Sequence, residues 1–380
     1  MSKVAVINRT NFKNYGSVLQ CYALCNAVRD LGYDSEIIWE SGNLSKNFDF
    51  RPNKLVSSLF KLMTHPKLIA STVKGVNSIG ARVITDGTVA LFDEFVAGEI
   101  RQKKLPHKEL VRLAKSDEYK KFVCGSDQIW CSTTLYVDPL MYLRFAPKHK
   151  RVAYAPSIGR NYIPSYNRRQ MKKYINDIPS LSIRETEGQG LIRELTGREA
   201  PIVLDPTLLY DKSHWDKLKA KVETGEKYML CYFLDTPKER VQKRLAEVSK
   251  ERGLRIIALV SKLDVCEAED ASVIYPDCGP REFLSYVENA ELTVTDSYHG
   301  MLFSITYGKD FWSVEREYGE FDQSSRQKTV LRMLSLENRY LLPDGDLSFS
   351  AEPIDHAAVK KIIEQRRKES LDHLKKSLAD

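Results

Sequence analysis

Residues 3–39 contain the apolar run KVAVI (3–7), the helical pattern VLQCYALCNAVRDLG (18–32) and the strand-like YDSEIIW (33–39), and this order decides the fold. Apolar residues recur at helical spacing in the middle segment, and Gly32 ends that segment as glycine commonly ends helices. A strand, a helix and a further strand in succession form a βαβ unit, whose two strands lie parallel. The sequence therefore predicts a Rossmann-like domain in the first half of the chain.

The same order returns further along the chain, as KYMLCYFLD (227–235), TPKERVQKRLAEVSKERG (236–253) and LRIIALVS (254–261). Continuous apolar strands that alternate with amphipathic helices are typical of parallel sheets covered by helices on both faces. A chain of 380 residues is also longer than one hydrophobic core usually serves. We therefore predict an α/β protein with two Rossmann-like domains whose parallel sheets face a cleft.

The domain boundary is predicted within residues 210–227, where apolar residues become fewer and charged residues more frequent. This gives an N-terminal domain over 1–212, with a helical insert near 54–118, and a C-terminal domain over 213–380. The last segment places apolar residues at helical spacing, which predicts a docked amphipathic helix at the C-terminal end. These residues are Val359, Ile362, Ile363, Leu371, Leu374 and Leu378.

The composition is that of a globular protein, with 42% hydrophobic and 29% charged residues. No apolar run approaches the ~20 residues that span a bilayer, and the first residues lack a signal peptide, so we expect a cytoplasmic location. The net charge of +7 is scattered along the chain, which does not favour nucleic acid as a partner. The seven cysteines show no zinc-binding spacing, so we expect reduced thiols and no metal site.

One basic and apolar segment, KLVSSLFKLMTHPKLIASTVKG (54–75), has two interpretations. It could rest on a membrane surface, which would make the protein peripheral to the membrane. The alternative is an insert helix that packs on its own domain. The second interpretation is favoured because Pro66 interrupts the helix.

Candidate binding residues follow from the rule that parallel sheets bind ligands beyond the carboxyl ends of their strands. Small or polar residues that follow predicted strands there are Asn14, Gly16, Ser17, Ser126, Asp127, Ser157, Arg184, Ser297, His299 and Gly300. Ser324 and Arg326 precede a further amphipathic helix and form a second candidate anion site. The structural alternatives are helix caps at the serines and aspartate, a surface ion pair at Arg184, and a cap with a surface arginine at Ser324 and Arg326.

Six motifs together resemble the polysaccharide pyruvyl transferase family over about residues 8–339. They are NYGSVLQCYAL (14–24), GSDQIW (125–130), SIRETEG (182–188), VLDPTLL (203–209), TDSYHGMLFSI (295–305) and SSRQKTVLRMLSLENR (324–339). The resemblance implies a glycosyltransferase-B-like fold and transfer of the pyruvyl group of phosphoenolpyruvate onto two hydroxyls of a sugar, with release of phosphate. It also implies that His299 is the essential histidine and that Arg184 is associated with the donor.

Residue chemistry suggests how such a transfer would proceed. The methylene carbon of phosphoenolpyruvate must be protonated before its neighbour becomes electrophilic, and histidine titrates near neutral pH. Arg184 offers a planar fork to the donor's carboxylate or phosphate, and Ser297 with the amides around Gly300 would hold the departing phosphate. The scheme needs no cofactor beyond phosphoenolpyruvate as donor substrate, and the sugar acceptor could be lipid-linked at the inner membrane surface.

Two other functions remain open at this point. One is a nucleotide-sugar-dependent glycosyltransferase of the same architecture, since a fold does not fix a reaction. The other is a non-catalytic anion-binding protein. The pairing of Arg184 with His299 argues against the latter, because a phosphate binder does not require a titratable histidine.

Overall fold

The structure is a computed structural model that describes residues 1–8, 13–40, 44–45, 48–49, 52–65, 84–259, 273–316 and 323–379. Its strands are β1 (Lys3–Ile7), β2 (Asp34–Glu40), β3 (Leu44–Ser45), β4 (Phe48–Asp49), β5 (Gln102–Leu105), β6 (Tyr119–Cys124), β7 (Arg151–Ala153), β8 (Ser180–Leu181), β9 (Tyr228–Tyr232), β10 (Arg255–Leu259), β11 (Val273–Ile274), β12 (Leu292–Thr295), β13 (Phe311–Val314) and β14 (Tyr340–Leu341).

The α-helices are α1 (Tyr15–Asp30), α2 (Pro52–Thr64), α3 (Asp86–Glu99), α4 (His107–Lys115), α5 (Ser165–Asn176), α6 (Thr186–Thr196), α7 (Lys212–Trp215), α8 (Glu239–Arg252), α9 (Pro280–Asn289), α10 (Tyr298–Thr306), α11 (Ser325–Met333) and α12 (His356–Ala379). The segment predicted as a helical insert carries α2, α3 and α4. It also supplies β5, which the sequence did not reveal.

Two six-stranded sheets organise the chain. The first has the strand order β5-β2-β1-β6-β7-β8 and the second the order β11-β10-β9-β12-β13-β14. Every pairing within these two sheets is parallel. The predicted fold class, an α/β protein with two Rossmann-like parallel sheets, is therefore confirmed.

The first βαβ unit agrees closely with its prediction. β1 has the predicted limits, and α1 starts at Tyr15, three residues before the predicted helix. The early start follows from Asn14, whose side chain accepts a hydrogen bond from the Ser17 amide at 3.0 Å and so caps the helix.

Aromatic side chains pack the two domains against each other. The ring of Tyr15 stacks on Phe283 at 4.7 Å between centroids and on Phe92 at 5.1 Å, and it meets the edge of Tyr232 at 5.4 Å. The Tyr15 hydroxyl donates to the Cys278 carbonyl at 3.1 Å. Tyr15 is the first residue of α1, whereas Tyr232, Cys278 and Phe283 belong to the second half of the chain. One continuous core therefore joins the domains.

The C-terminal helix α12 returns to the first domain. Its Ser370 hydroxyl accepts from the Leu204 amide at 2.9 Å, and Arg367 Nε donates to the Leu208 carbonyl at 2.9 Å. Val359, Ile363, Leu374 and Leu378 are buried, while Ile362 and Leu371 are partly buried. The predicted docked helix is therefore present, but it packs on the domain predicted to end at residue 212.

The expectations about the cysteines and about segment 54–75 concern residues that the structure describes only in part. The six described cysteines are free thiols, five of them buried, and Cys266 lies outside the described residues. Of the segment 54–75, the part after residue 65 lies outside them as well. Among the helices that the structure describes, none is both long and apolar enough to cross a bilayer.

Candidate functional site

The site lies where the carboxyl ends of the two sheets approach each other. Asp127 follows β6, Ser157 follows β7, and α10 begins directly after β12. The ring of His299 in α10 lies against Gly16 in α1, so closely that a methyl group on Gly16 would overlap the imidazole. A residue of the second domain therefore packs directly on the first helix of the chain.

His299 is the second residue of α10, and local capping fixes its position. The Ser297 hydroxyl accepts from the Gly300 amide at 3.3 Å and so caps the helix. Gly300 is required by packing, because a Cβ atom there would lie 2.6 Å from Thr295 Oγ1. The capping interpretation of Ser297 therefore holds, and the remaining first-turn amides lack acceptors inside the helix.

The imidazole of His299 faces a carboxylate from the other domain. Its Nε2 atom lies 3.7 Å from Asp205 Oδ2 and makes no hydrogen bond to any described residue. Only 6% of His299 is exposed. This arrangement leaves the buried Nε2 atom without a hydrogen-bond partner among the described residues while a negative charge lies close to it.

Arg184 is enclosed by acidic partners. Its Nη1 atom donates to Asp205 Oδ2 and to the Ser126 hydroxyl, and its Nη2 atom donates to Asp127 Oδ1 at 3.0 Å. The guanidinium also lies 4.6 Å from the centre of the Tyr298 ring. The side chain is fully buried, so the surface ion pair that the sequence allowed is in fact a buried one.

These contacts set the charges of the carboxylates. Burial alone would raise the pKa of Asp205, but its contacts with His299 and Arg184 hold it well below the usual range. Burial likewise opposes a lowered pKa at Asp127, and the charge of Arg184 outweighs it. Both aspartates are therefore ionised at neutral pH and balance the arginine.

Glu185 shapes the neighbouring loop. Its Oε1 atom accepts from the amides of Ile158 at 2.7 Å and Gly159 at 3.2 Å. Burial raises the pKa of this carboxyl in spite of the nearby charge of Arg184. The buried Ser157 hydroxyl, just before these amides, has no hydrogen-bond partner among the described residues.

The first turn of α11 adds a second arginine. Arg326 lies 5.5 Å from the centre of the Tyr298 ring, and the same ring contacts Arg184. The Ser325 hydroxyl is buried and has no hydrogen-bond partner among the described residues. Gln327 Nε2 donates to the carbonyl of Asp296 at 3.2 Å, which connects this helix to the residue before the Ser297 cap of α10.

The structure brings most of the predicted site residues together. Gly16, Ser126, Asp127, Arg184, Ser297, His299, Gly300 and Arg326 form one connected cluster through the contacts above. Ser157 lies on the adjoining loop and Ser324 precedes α11, where it shows no capping hydrogen bond from its side chain. Asn14 and Ser17 serve the start of α1, through the cap that joins them.

Four residues of this cluster were missed. Asp205 and Glu185 lie inside the quoted motifs VLDPTLL and SIRETEG, at the ends of predicted strands, and the strand-end rule would have identified them. Tyr298 precedes the histidine directly. Gln20 gave no signal, because its side chain points from the middle of α1 and accepts from the Ser126 amide at 3.2 Å. Among the residues that the structure describes, no group of three His, Cys, Asp or Glu side chains could hold a metal ion.

Comparisons with solved structures find distant similarity in overall arrangement. MurG from Acinetobacter baumannii matches with a TM-score of 0.47 at 8% identity, covering 99% of this chain and 99% of the other. The S. aureus MnaA-UDP structure gives a TM-score of 0.48 at 10% identity, covering 98% and 91%. E. coli heptosyltransferase WaaC, with ADP-2-deoxy-2-fluoro heptose, gives 0.40 at 10%, covering 95% and 99%.

No curated protein matches the sequence. The family model for polysaccharide pyruvyl transferases, in contrast, matches residues 14–318, from the cap of α1 to beyond β13. That range contains His299, Arg184, Asp205 and Asp127. Because the match extends over well more than half of the chain, the protein belongs to the polysaccharide pyruvyl transferase family.

Proposed function

We propose that the protein transfers the pyruvyl group of phosphoenolpyruvate to a sugar of a polysaccharide or of its precursor, forming a cyclic ketal and releasing phosphate. One observation supports this most directly: the buried Nε2 atom of His299 lies 3.7 Å from Asp205 Oδ2, where the two sheets meet, and makes no hydrogen bond to a described residue. The carboxylate of Asp205 lies beside a ring nitrogen that has no other hydrogen-bond partner among the described residues, an arrangement that suits a histidine passing a proton to and from a bound substrate.

The proposed reaction begins with proton transfer from His299 to the methylene carbon of the donor. The adjacent carbon becomes cationic, one sugar hydroxyl forms a C–O bond to it, and His299 takes the proton of that hydroxyl. The bond from this carbon to the phosphate oxygen then breaks. The second hydroxyl forms the other C–O bond, and its proton leaves with the phosphate.

Arg184 is assigned a positioning role in this scheme. Both of its terminal nitrogens donate to carboxylates, and the side chain is fully buried. It therefore holds Asp205 beside His299, and this replaces the expectation that it contacts the donor. A lysine at position 184 would keep the charge but could not serve Asp205 and Asp127 together.

The donor's carboxylate is assigned to the first turn of α11. Helix N-termini favour anions, and here the turn also carries the buried Ser325 hydroxyl and the guanidinium of Arg326. Arg326 makes contacts within the protein, so the assignment rests on its charge and position. Ser297 and the free first-turn amides of α10 lie close to this turn through Gln327 and would receive the phosphate.

Thermal melts with different ligands test the donor. A ligand that binds only the folded state stabilises it by about 2.7 kcal/mol at a hundredfold excess over Kd. Phosphoenolpyruvate should raise the melting temperature more than inorganic phosphate at equal concentration, because a carboxylate contact adds to the phosphate contacts. Arg326→Ala should lose this extra shift, whereas Arg332→Ala, which removes an exposed arginine of the same helix, should keep it.

Turnover with a sugar acceptor tests the histidine. His299→Asn should lower the rate roughly 10²–10⁴-fold while keeping the shift with phosphoenolpyruvate. Stabilisation by UDP- or GDP-linked sugars but not by phosphoenolpyruvate would replace the proposal with the glycosyltransferase alternative. Equal stabilisation by every small anion, unchanged in Arg326→Ala, would favour a non-catalytic anion-binding protein.

A further inference from the structure

Helix α2 presents an apolar face that points away from the protein. Five of its six large apolar side chains are exposed, with exposed fractions of 48% for Leu55, 66% for Val56, 59% for Leu59, 66% for Phe60 and 81% for Met63, and the sixth, Leu62, is partly buried. Their spacing of one, three and four residues places all five on the same side of the helix. None of them belongs to a hydrophobic core cluster of the described residues.

The opposite side of α2 is attached to the protein by polar contacts. Lys61 is buried, donates to Asn167 Oδ1 at 2.6 Å and lies 5.6 Å from the centre of the Tyr166 ring. The ring of His65, one residue after the helix, meets the edge of the same tyrosine at 5.3 Å. This is the reverse of an ordinary surface helix, whose apolar side would face the core.

Helix α5, to which α2 is attached, presents a basic face. Arg169, Lys172 and Lys173 are exposed and form no ion pair with the residues that the structure describes. Arg168 adds a fourth positive charge, paired with Glu194 at 2.6 Å. Between residues 165 and 176 the helix contains no acidic residue.

We propose that α2 and α5 together dock on an anionic lipid surface, with the five apolar side chains inserted at the interface and the basic residues of α5 facing lipid phosphates. Apolar side chains beside a cluster of lysine and arginine are the combination that such surfaces bind. A second copy of the chain fits this patch less well, because a symmetric pairing through α2 would bring two basic α5 helices close together.

The attachment also relates the docked surface to the cleft. Asn167, which holds Lys61, donates to the carbonyls of Ser132 at 2.6 Å and Thr134 at 2.8 Å. Arg160 Nε donates to Thr133 Oγ1 at 3.2 Å, and Arg160 directly follows the loop held by Glu185. A docked protein would thus present its cleft near the lipid headgroups, which suits a lipid-linked sugar acceptor. Only this last step rests on the proposed function.

Vesicle co-sedimentation of the full chain tests the docking without donor or acceptor. The protein should bind vesicles that contain phosphatidylglycerol and should bind pure phosphatidylcholine vesicles far more weakly. Replacing Arg169, Lys172 and Lys173 by glutamine should weaken binding to anionic vesicles about a hundredfold, at about fivefold for each charge. The matched control replaces Lys361, Lys368 and Lys375, exposed lysines of α12, by glutamine and should change the binding little.

A second set of variants tests the apolar face. Leu59→Ser, Phe60→Ser and Met63→Ser in combination should abolish measurable binding even to anionic vesicles, whereas Leu342→Ser, at another exposed apolar residue, should not. Both sets should keep the melting temperature of the wild type, since the replaced side chains are exposed. The proposal fails if anionic vesicles do not bind, if the control variants lose as much binding, or if the serine variants only dissociate a dimer.

Discussion

The contact between Gly16 and His299 tolerates no side chain at position 16. A Cβ atom on residue 16 would overlap Nδ1, Cγ and also the Cβ atom of His299. Because the Cβ atom of the histidine is included, rotation of the ring would not relieve the overlap. Gly16→Ala should therefore displace His299, lower turnover strongly and destabilise the protein by about 1–3 kcal/mol. Activity and urea denaturation of the variant measure the two effects.

Gly190→Ala is the matched control for that substitution. Gly190 also lies in a helix, α6, and a methyl group at this position would have no atom within 4 Å beyond its own helix backbone and chain neighbours. Alanine at this position should be neutral or stabilising by up to about 1 kcal/mol, because it favours the helix. A Gly16→Ala variant that behaves like Gly190→Ala would show that the histidine is not held against α1.

Single residues also show which parts of the site the sequence could predict. His299, Arg184 and Asp127 were identified because each follows a strand within a recognisable motif. The partner of Arg184 was not, since no local pattern states which carboxylate a buried guanidinium will meet. Asp205 lies 21 residues further along the chain, and the two segments come together at an isolated parallel bridge between Ile183 and Ile202.

Helix α12 is an element whose position determines its effect. Its buried Leu374 packs in the core that the two domains share, together with Leu378 and Ile363. Leu374→Ala should lower the free energy of unfolding by about 2–5 kcal/mol, the usual cost of a large core truncation. The neighbouring exposed Lys375→Ala should change it by less than about 0.5 kcal/mol, which urea denaturation can resolve.

A loss confined to the second domain in Leu374→Ala would contradict the observed docking on the first. The periodicity of α12 predicted that the helix docks, because the apolar side chains lie on one face. It could not predict the surface it meets, because periodicity identifies the buried side of a helix and not its partner. The same limit applies to α2, which was expected to pack on its own domain because Pro66 interrupts the segment, whereas its apolar side is exposed.

The pH dependence of stability should reflect buried carboxyl groups with opposite shifts. Burial raises the pKa of Asp296 to about 7, against the lowering effect of Arg316 and two backbone amides. Between about pH 4 and about pH 7 the folded protein therefore holds a proton that the unfolded chain has released, so this group lowers the unfolding free energy as pH rises. The pKa values of Asp205 and Asp127 are lowered, so these groups stabilise the folded protein above the usual pKa range of aspartate. That stabilisation is lost only as the pH falls below this range.

Comparison with Asp296→Asn isolates this contribution. The variant lacks the titrating group. As the pH rises from about 4 to about 8, its unfolding free energy, measured in urea, should therefore increase relative to that of the wild type by up to roughly 4 kcal/mol. Parallel curves for the two proteins would mean that Asp296 is ionised throughout the range. The introduced amide would keep one acceptor for the Leu234 backbone N–H, so the variant should remain folded.

The architecture as a whole was more predictable than the site. Alternating strands and helices implied two parallel sheets, and each βαβ unit has local signals that a single chain reveals. The domain contact was not predictable, because Tyr15 and Phe283 are ordinary apolar positions until both domains are placed. The geometry of the candidate site depends on that contact, since Asp205 and His299 belong to different domains.

This division of the His299–Asp205 pair between domains constrains how such proteins can be recombined. A chimera that joined the first half of this chain to the second half of a relative would inherit one member of the pair from each parent. It would also inherit Gly16 from one parent and the ring that lies on it from the other. Gene shuffling within the family should therefore yield active hybrids only when both parents have the glycine and the carboxylate that contact the histidine. Correct folding of each half would not be enough.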